Sequence, residues 1–230
     1  MTLTLAERVE NYNTTFPKFA KQAPLMATDR WVYGVWIIGN NYQRAMDYYG
    51  AFPPTYLKRV YSLFPDVGND QILHLFSGSL GDDERGDRFD INPETHPTIC
   101  GDAEHLSRFV KHPYRLIVAD PPYSGMDAEH YGTAMISRNK VLKECLEWNV
   151  LEDGGYIVWL DQVLPMYRKT ETQLIGTVGY IEYNIDSAEL KNVESVGMIE
   201  VIGSTNHRVR CAFIFEKLPT TEIFYGQLGD

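Results

Sequence analysis

Arg115-Leu116-Ile117-Val118-Ala119-Asp120-Pro121-Pro122-Tyr123 is the stretch on which the reading of the fold turns. An unbroken apolar run bounded by turn residues, too short for a helix, predicts a strand buried on both faces. The two prolines stop it abruptly, because they have no N–H to give a neighbouring strand and hold the backbone extended. Working outward, Ile72 to Phe76 reads as a second buried strand, ended by Ser77-Gly78-Ser79. Asp87 to Ile91 and Thr98 to Cys100 are shorter candidates, ended by Asn92-Pro93 and Gly101-Asp102. Tyr156 to Leu160 follows Gly154-Gly155 as another buried strand. Helices are predicted over Thr55 to Leu63, behind Pro53-Pro54, over Ala103 to His112, and over Arg138 to Val150 with Val141, Leu142, Cys145, Leu146 and Trp148 inward. Met198 to Ile202 and Cys211 to Phe215, across a polar turn at 203–210, predict an antiparallel pair. Strands alternating with helices imply an α/β fold with a mostly parallel sheet, the closing hairpin lying at one edge.

Composition bounds the function. The chain has 230 residues, 44% hydrophobic and 23% charged, which suits one globular domain and not a disordered chain. Asp and Glu number 31 against 21 Lys and Arg, a formal charge of −10. That excludes coating of nucleic acid by bulk positive charge and leaves room for a local basic patch. Cys100, Cys145 and Cys211 are odd in number and far apart, which argues against a disulfide framework. His96, Cys100 and His105 fit no zinc spacing, so no metal site is expected. The first ten residues carry charges where a signal peptide needs an apolar core, and no apolar run is long enough for a membrane span. The expectation is a reduced, cytoplasmic protein with no membrane partner.

In open parallel sheets, ligands bind beyond the carboxyl ends of the central strands. Phe76-Ser77-Gly78 and Asp120-Pro121-Pro122-Tyr123 both fall at such ends, so they are expected to face one crevice. The Asp120 carboxylate and the Pro121 carbonyl are acceptors able to converge on one amino group. The Tyr123 ring offers a face on which a planar base can stack. Together they suit an amino group carried on a heteroaromatic ring.

Asp120-Pro121-Pro122-Tyr123 resembles the Asp/Asn/Ser-Pro-Pro-Tyr motif of the amino-group DNA methyltransferases. These are a branch of the class I methyltransferases that use S-adenosyl-L-methionine. Phe76-Ser77-Gly78 resembles their F-x-G-x-G cofactor motif, with Leu80 where the second glycine belongs and Gly81 one residue later. The resemblance covers about residues 50–218. It implies a Rossmann-like fold with a mostly parallel seven-stranded sheet and an antiparallel edge hairpin. It also implies S-adenosyl-L-methionine as cofactor, with Asp90 on the ribose hydroxyls (Glu84 the alternative), Asp102 near the adenine amino group, and Phe52 and Pro53 beside the methionine end. Asp120, Pro121, Pro122 and Tyr123 are then the catalytic residues. Asp at the first position favours adenine over cytosine. The implied activity is methylation of the adenine exocyclic amino group in DNA, of the kind found in restriction-modification systems and phages. The alternatives are RNA, cytosine N4 or a protein amide as acceptor, and a non-catalytic methyltransferase-like partner subunit.

The substrate contacts expected from the residues are His207, Arg208 and Arg210, in the turn before the last strand. Residues 124–138 read as a loop closing over the substrate. One domain spans the chain, with residues 1–48 as an N-terminal extension and 49–218 as the catalytic core. Only 17 residues separate Asp102 from Asp120, so no target-recognition domain fits between them. Recognition is therefore expected to be short, relaxed, or supplied by a second copy or a separate subunit.

Overall fold

The computed structural model describes residues 2–15, 24–39, 52, 55–122, 125–130, 135–166, 172–183 and 209–219. The helices are α1 (Leu5–Thr15), α2 (Tyr56–Leu63), α3 (Gly125–His130) and α4 (Arg138–Cys145). The strands are β1 (Met26–Ala27), β2 (Val32–Gly39), β3 (Ile72–Leu75), β4 (Asp87–Asp90) and β5 (Ile99–Cys100). They continue with β6 (Tyr114–Ala119), β7 (Leu151–Asp161), β8 (Thr172–Tyr183) and β9 (Val209–Lys217). All nine strands join one mixed sheet, in the order β1-β2-β8-β9-β7-β6-β3-β4-β5. The pairs from β5 to β7 are parallel, β9 runs antiparallel to both β7 and β8, and β2 is parallel to β8.

The apolar run around β6 is explained by its place in this sheet. Side chains alternate between faces along a strand. Leu116 and Val118 enter one core with Ile72, Tyr156, Val158 and Ile214, covered by α1 and α2. Ile117 and Ala119 enter the other with Leu73, Leu75, Ile157 and Phe215, covered by Val141, Leu142 and Cys145 of α4. From Leu116 to Ala119 the strand is sandwiched between layers and has no solvent face, so every position there is apolar; Arg115, nearer its start, is partly exposed. Tyr114 at its start donates from its hydroxyl to Asp87 Oδ2 at 2.6 Å, and burial pushes that phenol well up from its usual pKa.

Several expectations are corrected. The sheet has nine described strands, where seven were expected. The reversed strand β9 is internal, because β8 on its far side continues the sheet into β2 and β1. Its partners in the described structure are β7 and β8; residues 198–202, the partner expected for it, lie outside the described residues. The helix expected over Ala103 to His112 is a shorter 3-10 helix, Ala103–Arg108, and the one expected over Arg138 to Val150 ends at Cys145, so Trp148, expected inward, is 80% exposed. Residues 125–130, expected in a loop, are α3. The first 48 residues also contribute directly to the core. Val9 and Tyr12 of α1, Leu25, and Val32 and Trp36 of β2 are buried with α2 and the central strands. Arg8 is itself buried, paired with Asp66 at 2.6 and 3.0 Å and lying over the Phe64 and Tyr156 rings.

Candidate functional site

The strand order continues from β3 through β4 to β5 on one side and through β6 to β7 on the other. A reversal of this kind opens a crevice beyond the carboxyl ends of the two central strands. Strand register fixes what borders it. Leu75 pairs with Ala119 and with Phe89, Ala119 pairs with Trp159, and Asp90 pairs with Cys100. One residue further along, Asp120, Phe76 and Asp90 stand in a row, flanked by Asp102 beyond β5 and Asp161 at the end of β7. Neighbouring strands are ~4.8 Å apart, so the backbones of Asp120 and Asp90 are separated by about two spacings, roughly 10 Å.

The turn after β3 has an unusual backbone. Phe76 has φ 59° and Gly78 φ 52°, both left-handed. Glycine adopts this conformation without penalty, whereas phenylalanine must be held there by its surroundings. The holding bonds are visible. Ser77 N–H donates to the Phe89 carbonyl at 3.2 Å, and Gly78 N–H donates to Asp90 Oδ2 at 2.8 Å. The other Asp90 oxygen accepts from Asn92 N–H at 2.9 Å. Asp90 thus ties the turn after β3 to the turn after β4. Asp102 caps the 3-10 helix by accepting from Glu104 N–H at 2.9 Å. Leu80, where the resemblance expects glycine, packs against the first core cluster instead.

Ser77 is wholly buried, and its Oγ has no hydrogen-bond partner among the described residues. A buried hydroxyl without a partner costs free energy, and this one lies in the turn that follows β3. Asp120 is half-buried and Pro121 buried. Phe52 is 9% exposed, stacked on Tyr56 at 6.0 Å and edge-on to His74 at 5.8 Å. Pro53, Tyr123, His207 and Arg208 lie outside the described residues.

Glu84, the alternative to Asp90, is engaged elsewhere. The Tyr61 hydroxyl donates to its Oε1 at 3.0 Å and also meets His74 Nε2 at 2.9 Å. His74 is wholly buried on β3, and that burial pushes its pKa down to about 4. Arg210 is also corrected. It lies within β9, paired with Tyr180 across the ladder, and is only 6% exposed. A guanidinium drawn into the sheet in this way is not a surface contact for phosphate.

The sequence reading missed Asp161. Its carboxylate is fully buried and accepts five hydrogen bonds. They come from Arg138 Nε (2.6 Å) and Nη2 (3.3 Å), Trp159 Nε1 (3.2 Å), and the N–H groups of Gln162 (2.7 Å) and Val163 (3.3 Å). The available signal was its position: an Asp directly after a buried apolar strand, as Asp120 is. Among the described residues, no group of three or more His, Cys, Asp and Glu is placed to hold a metal ion. No described helix is long and apolar enough to cross a membrane. Compared with family models, with curated proteins and with solved structures, the chain gives no match.

Proposed function

We propose that this chain transfers a methyl group from S-adenosyl-L-methionine to the exocyclic amino group of adenine in DNA. One observation carries the reading: the rigid Asp120-Pro121-Pro122 turn stands one strand from the left-handed Phe76-Ser77-Gly78 turn, where the strand order reverses. The run β5-β4-β3-β6-β7 also has the order of a doubly wound nucleotide-binding sheet, which supports the Rossmann-like assignment.

The residues present fit the cofactor. The buried Ser77 hydroxyl offers a hydrogen-bonding group with no partner among the described residues. The Phe76–Gly78 backbone, Asp90 at the end of β4 and Asp102 beyond β5 would hold its polar parts, and the Phe52 ring would border the apolar side. When bound, the cofactor supplies an electrophilic methyl group on a sulfonium sulfur.

The chain's own residues deal with the acceptor. An amine conjugated to a ring is a poor nucleophile because its lone pair is delocalised. The Asp120 carboxylate and the Pro121 carbonyl accept its two hydrogens. This orients the nitrogen lone pair and favours the pyramidal, partly positive nitrogen of the transition state. The two prolines keep the acceptors in place without reorganisation, and Tyr123 stacks on the ring. A paired adenine must leave the helix to reach this turn, at a cost of a few kcal/mol.

The test is tritium transfer from labelled cofactor to DNA, RNA and protein. The expected result is labelling of DNA in the adenine fraction. Asp120→Ala is expected to reduce it by about 10³-fold or more while cofactor binding persists. Absence of transfer to DNA by the wild type, or unchanged transfer by Asp120→Ala, overturns the proposal.

A further inference from the structure

Residues 76–86 join β3 to β4 through turns and bends, with no helix among them. In doubly wound sheets the glycine turn after the first strand runs into a helix, and the packing of that helix on the sheet holds the turn. Here other contacts have to hold it. The connection consists of two successive hydrogen-bonded turns. Leu80 N–H donates to the Ser77 carbonyl at 3.1 Å, and Glu84 N–H donates to the Gly81 carbonyl at 3.2 Å. Its midpoint is fixed by Leu80, whose side chain packs on the first core cluster and whose carbonyl accepts from Arg88 Nη1 at 3.1 Å. Its far end is fixed to α2 and the segment behind that helix. Glu84 Oε1 accepts from the Tyr61 hydroxyl of α2 and from Arg85 N–H, both at 3.0 Å. The Arg85 guanidinium lies 4.6 Å over the Tyr61 ring. Its Nε donates to Asn69 Oδ1 at 2.6 Å and its Nη2 to the Val67 carbonyl at 2.8 Å. The same Tyr61 oxygen meets His74 Nε2 on β3, the strand from which the left-handed turn departs. Tyr61 therefore joins the strand that enters the connection to the carboxylate near its end.

Resting on the reading of this turn as the cofactor site, we propose that Tyr61 and Glu84 are positioning residues for cofactor binding. Their bond, completed by Arg85, holds the Phe76–Gly78 turn in its binding conformation, the task a helix performs in other doubly wound sheets. A left-handed phenylalanine at the start of the connection favours relaxation of the turn, so the conformation persists only while its surroundings enforce it. A site that spends only part of its time in the competent form binds with an affinity lowered by that fraction. Loss of one hydrogen bond to a carboxylate is enough to lower that fraction about tenfold. Saturating ligand restores the competent form, so the loss falls on affinity and not on turnover.

The experiment is calorimetric titration of S-adenosylhomocysteine into the wild type, Tyr61→Phe, Glu84→Ala and the double variant, all well below their unfolding temperatures. Each single variant is expected to bind about tenfold more weakly, and the double variant no more than about twofold beyond either, because both remove the same bond. With saturating cofactor, Tyr61→Phe is expected to keep kcat for tritium transfer within about twofold of the wild type while its KM for the cofactor rises about tenfold. Unchanged affinity in a folded Tyr61→Phe overturns the proposal and leaves the bond a purely structural one. Losses that multiply in the double variant overturn it too, since they assign Glu84 a separate contact with the ligand. Should either variant fail to fold, Asn69→Ala removes only the exposed acceptor of Arg85 Nε. Weakening by about threefold then supports the proposal, and unchanged affinity overturns it. In all these outcomes the proposed activity stands. Failure of the wild type to bind S-adenosylhomocysteine overturns the cofactor reading and the positioning role together.

Discussion

Replacing Asp161 by leucine removes the acceptor for five donors at once, and the expected loss can be worked from the structure. The carboxylate is fully buried and the Arg138 side chain is 17% exposed, so the pair is largely shielded from water. Breaking a buried ion pair by deleting one partner costs about 3–5 kcal/mol, because the remaining charge stays desolvated. Trp159 Nε1 loses its contact as well, while the Gln162 and Val163 N–H groups belong to exposed residues that water can reach. Roughly 4 kcal/mol is therefore expected for Asp161→Leu. For a chain of this length that lowers Tm by about 8–16 °C. Arg138→Met leaves a buried carboxylate with three neutral donors, and about 3 kcal/mol is expected. The double variant carries no unpaired charge, so the two losses should not add. A coupling of about 2 kcal/mol or more is expected from the cycle. Urea unfolding followed by far-ultraviolet circular dichroism measures all four proteins without relying on Trp159 fluorescence. An Asp161→Leu loss below about 1 kcal/mol, or an additive cycle, refutes the view that this carboxylate anchors the rim of the crevice.

Two further outcomes are expected. Ser77→Ala removes a buried hydroxyl that has no partner among the described residues, so it should raise the stability of the free protein by about 1 kcal/mol and weaken binding of S-adenosylhomocysteine about five- to tenfold; calorimetry and thermal unfolding of the same variant decide, and a destabilised variant that binds normally contradicts the assignment. His74 has a folded pKa of about 4 against ~6.5 when unfolded, so the unfolded chain binds the extra proton between those values. Stability is therefore full above about pH 6.5 and falls toward pH 4, by up to about 1.4 kcal/mol per pH unit and on the order of 3 kcal/mol in all. Asp66, whose burial is outweighed by the Arg8 ion pair so that its carboxyl lies below the usual range, keeps its stabilising contribution through this window and loses it only at lower pH. His74→Gln should flatten the slope between pH 6.5 and 5 in urea titrations, and an unchanged slope assigns the acid sensitivity to other groups.

Much of the crevice was readable along the chain because its determinants are local. The apolar run of β6, the paired prolines behind it and the glycine behind β3 each act on their own few residues. The strand ends marked by Asp90 and by Gly101-Asp102 were legible for the same reason, each standing where a short strand gives way to a turn. Arg210 was misread because the polar composition of residues 203–210 suggested a turn up to the point where Cys211 begins the apolar alternation. The ladder with β8 instead extends two residues further back and draws Arg210 inside.

The sequence by itself determined which segments become buried strands and where each one stops, through hydrophobic runs and residues that cannot continue a ladder. Only the tertiary structure decided which strands are neighbours. Pairing joins segments far apart in the chain, as when Val32 meets Gly176 and carries the N-terminal strands into the sheet. The partner of Asp161 was decided in the same way, since Arg138 reaches it across 23 residues only after α4 has packed on the sheet. Local chemistry set the ends of the strands, and long-range register brought those ends side by side along one edge of the sheet.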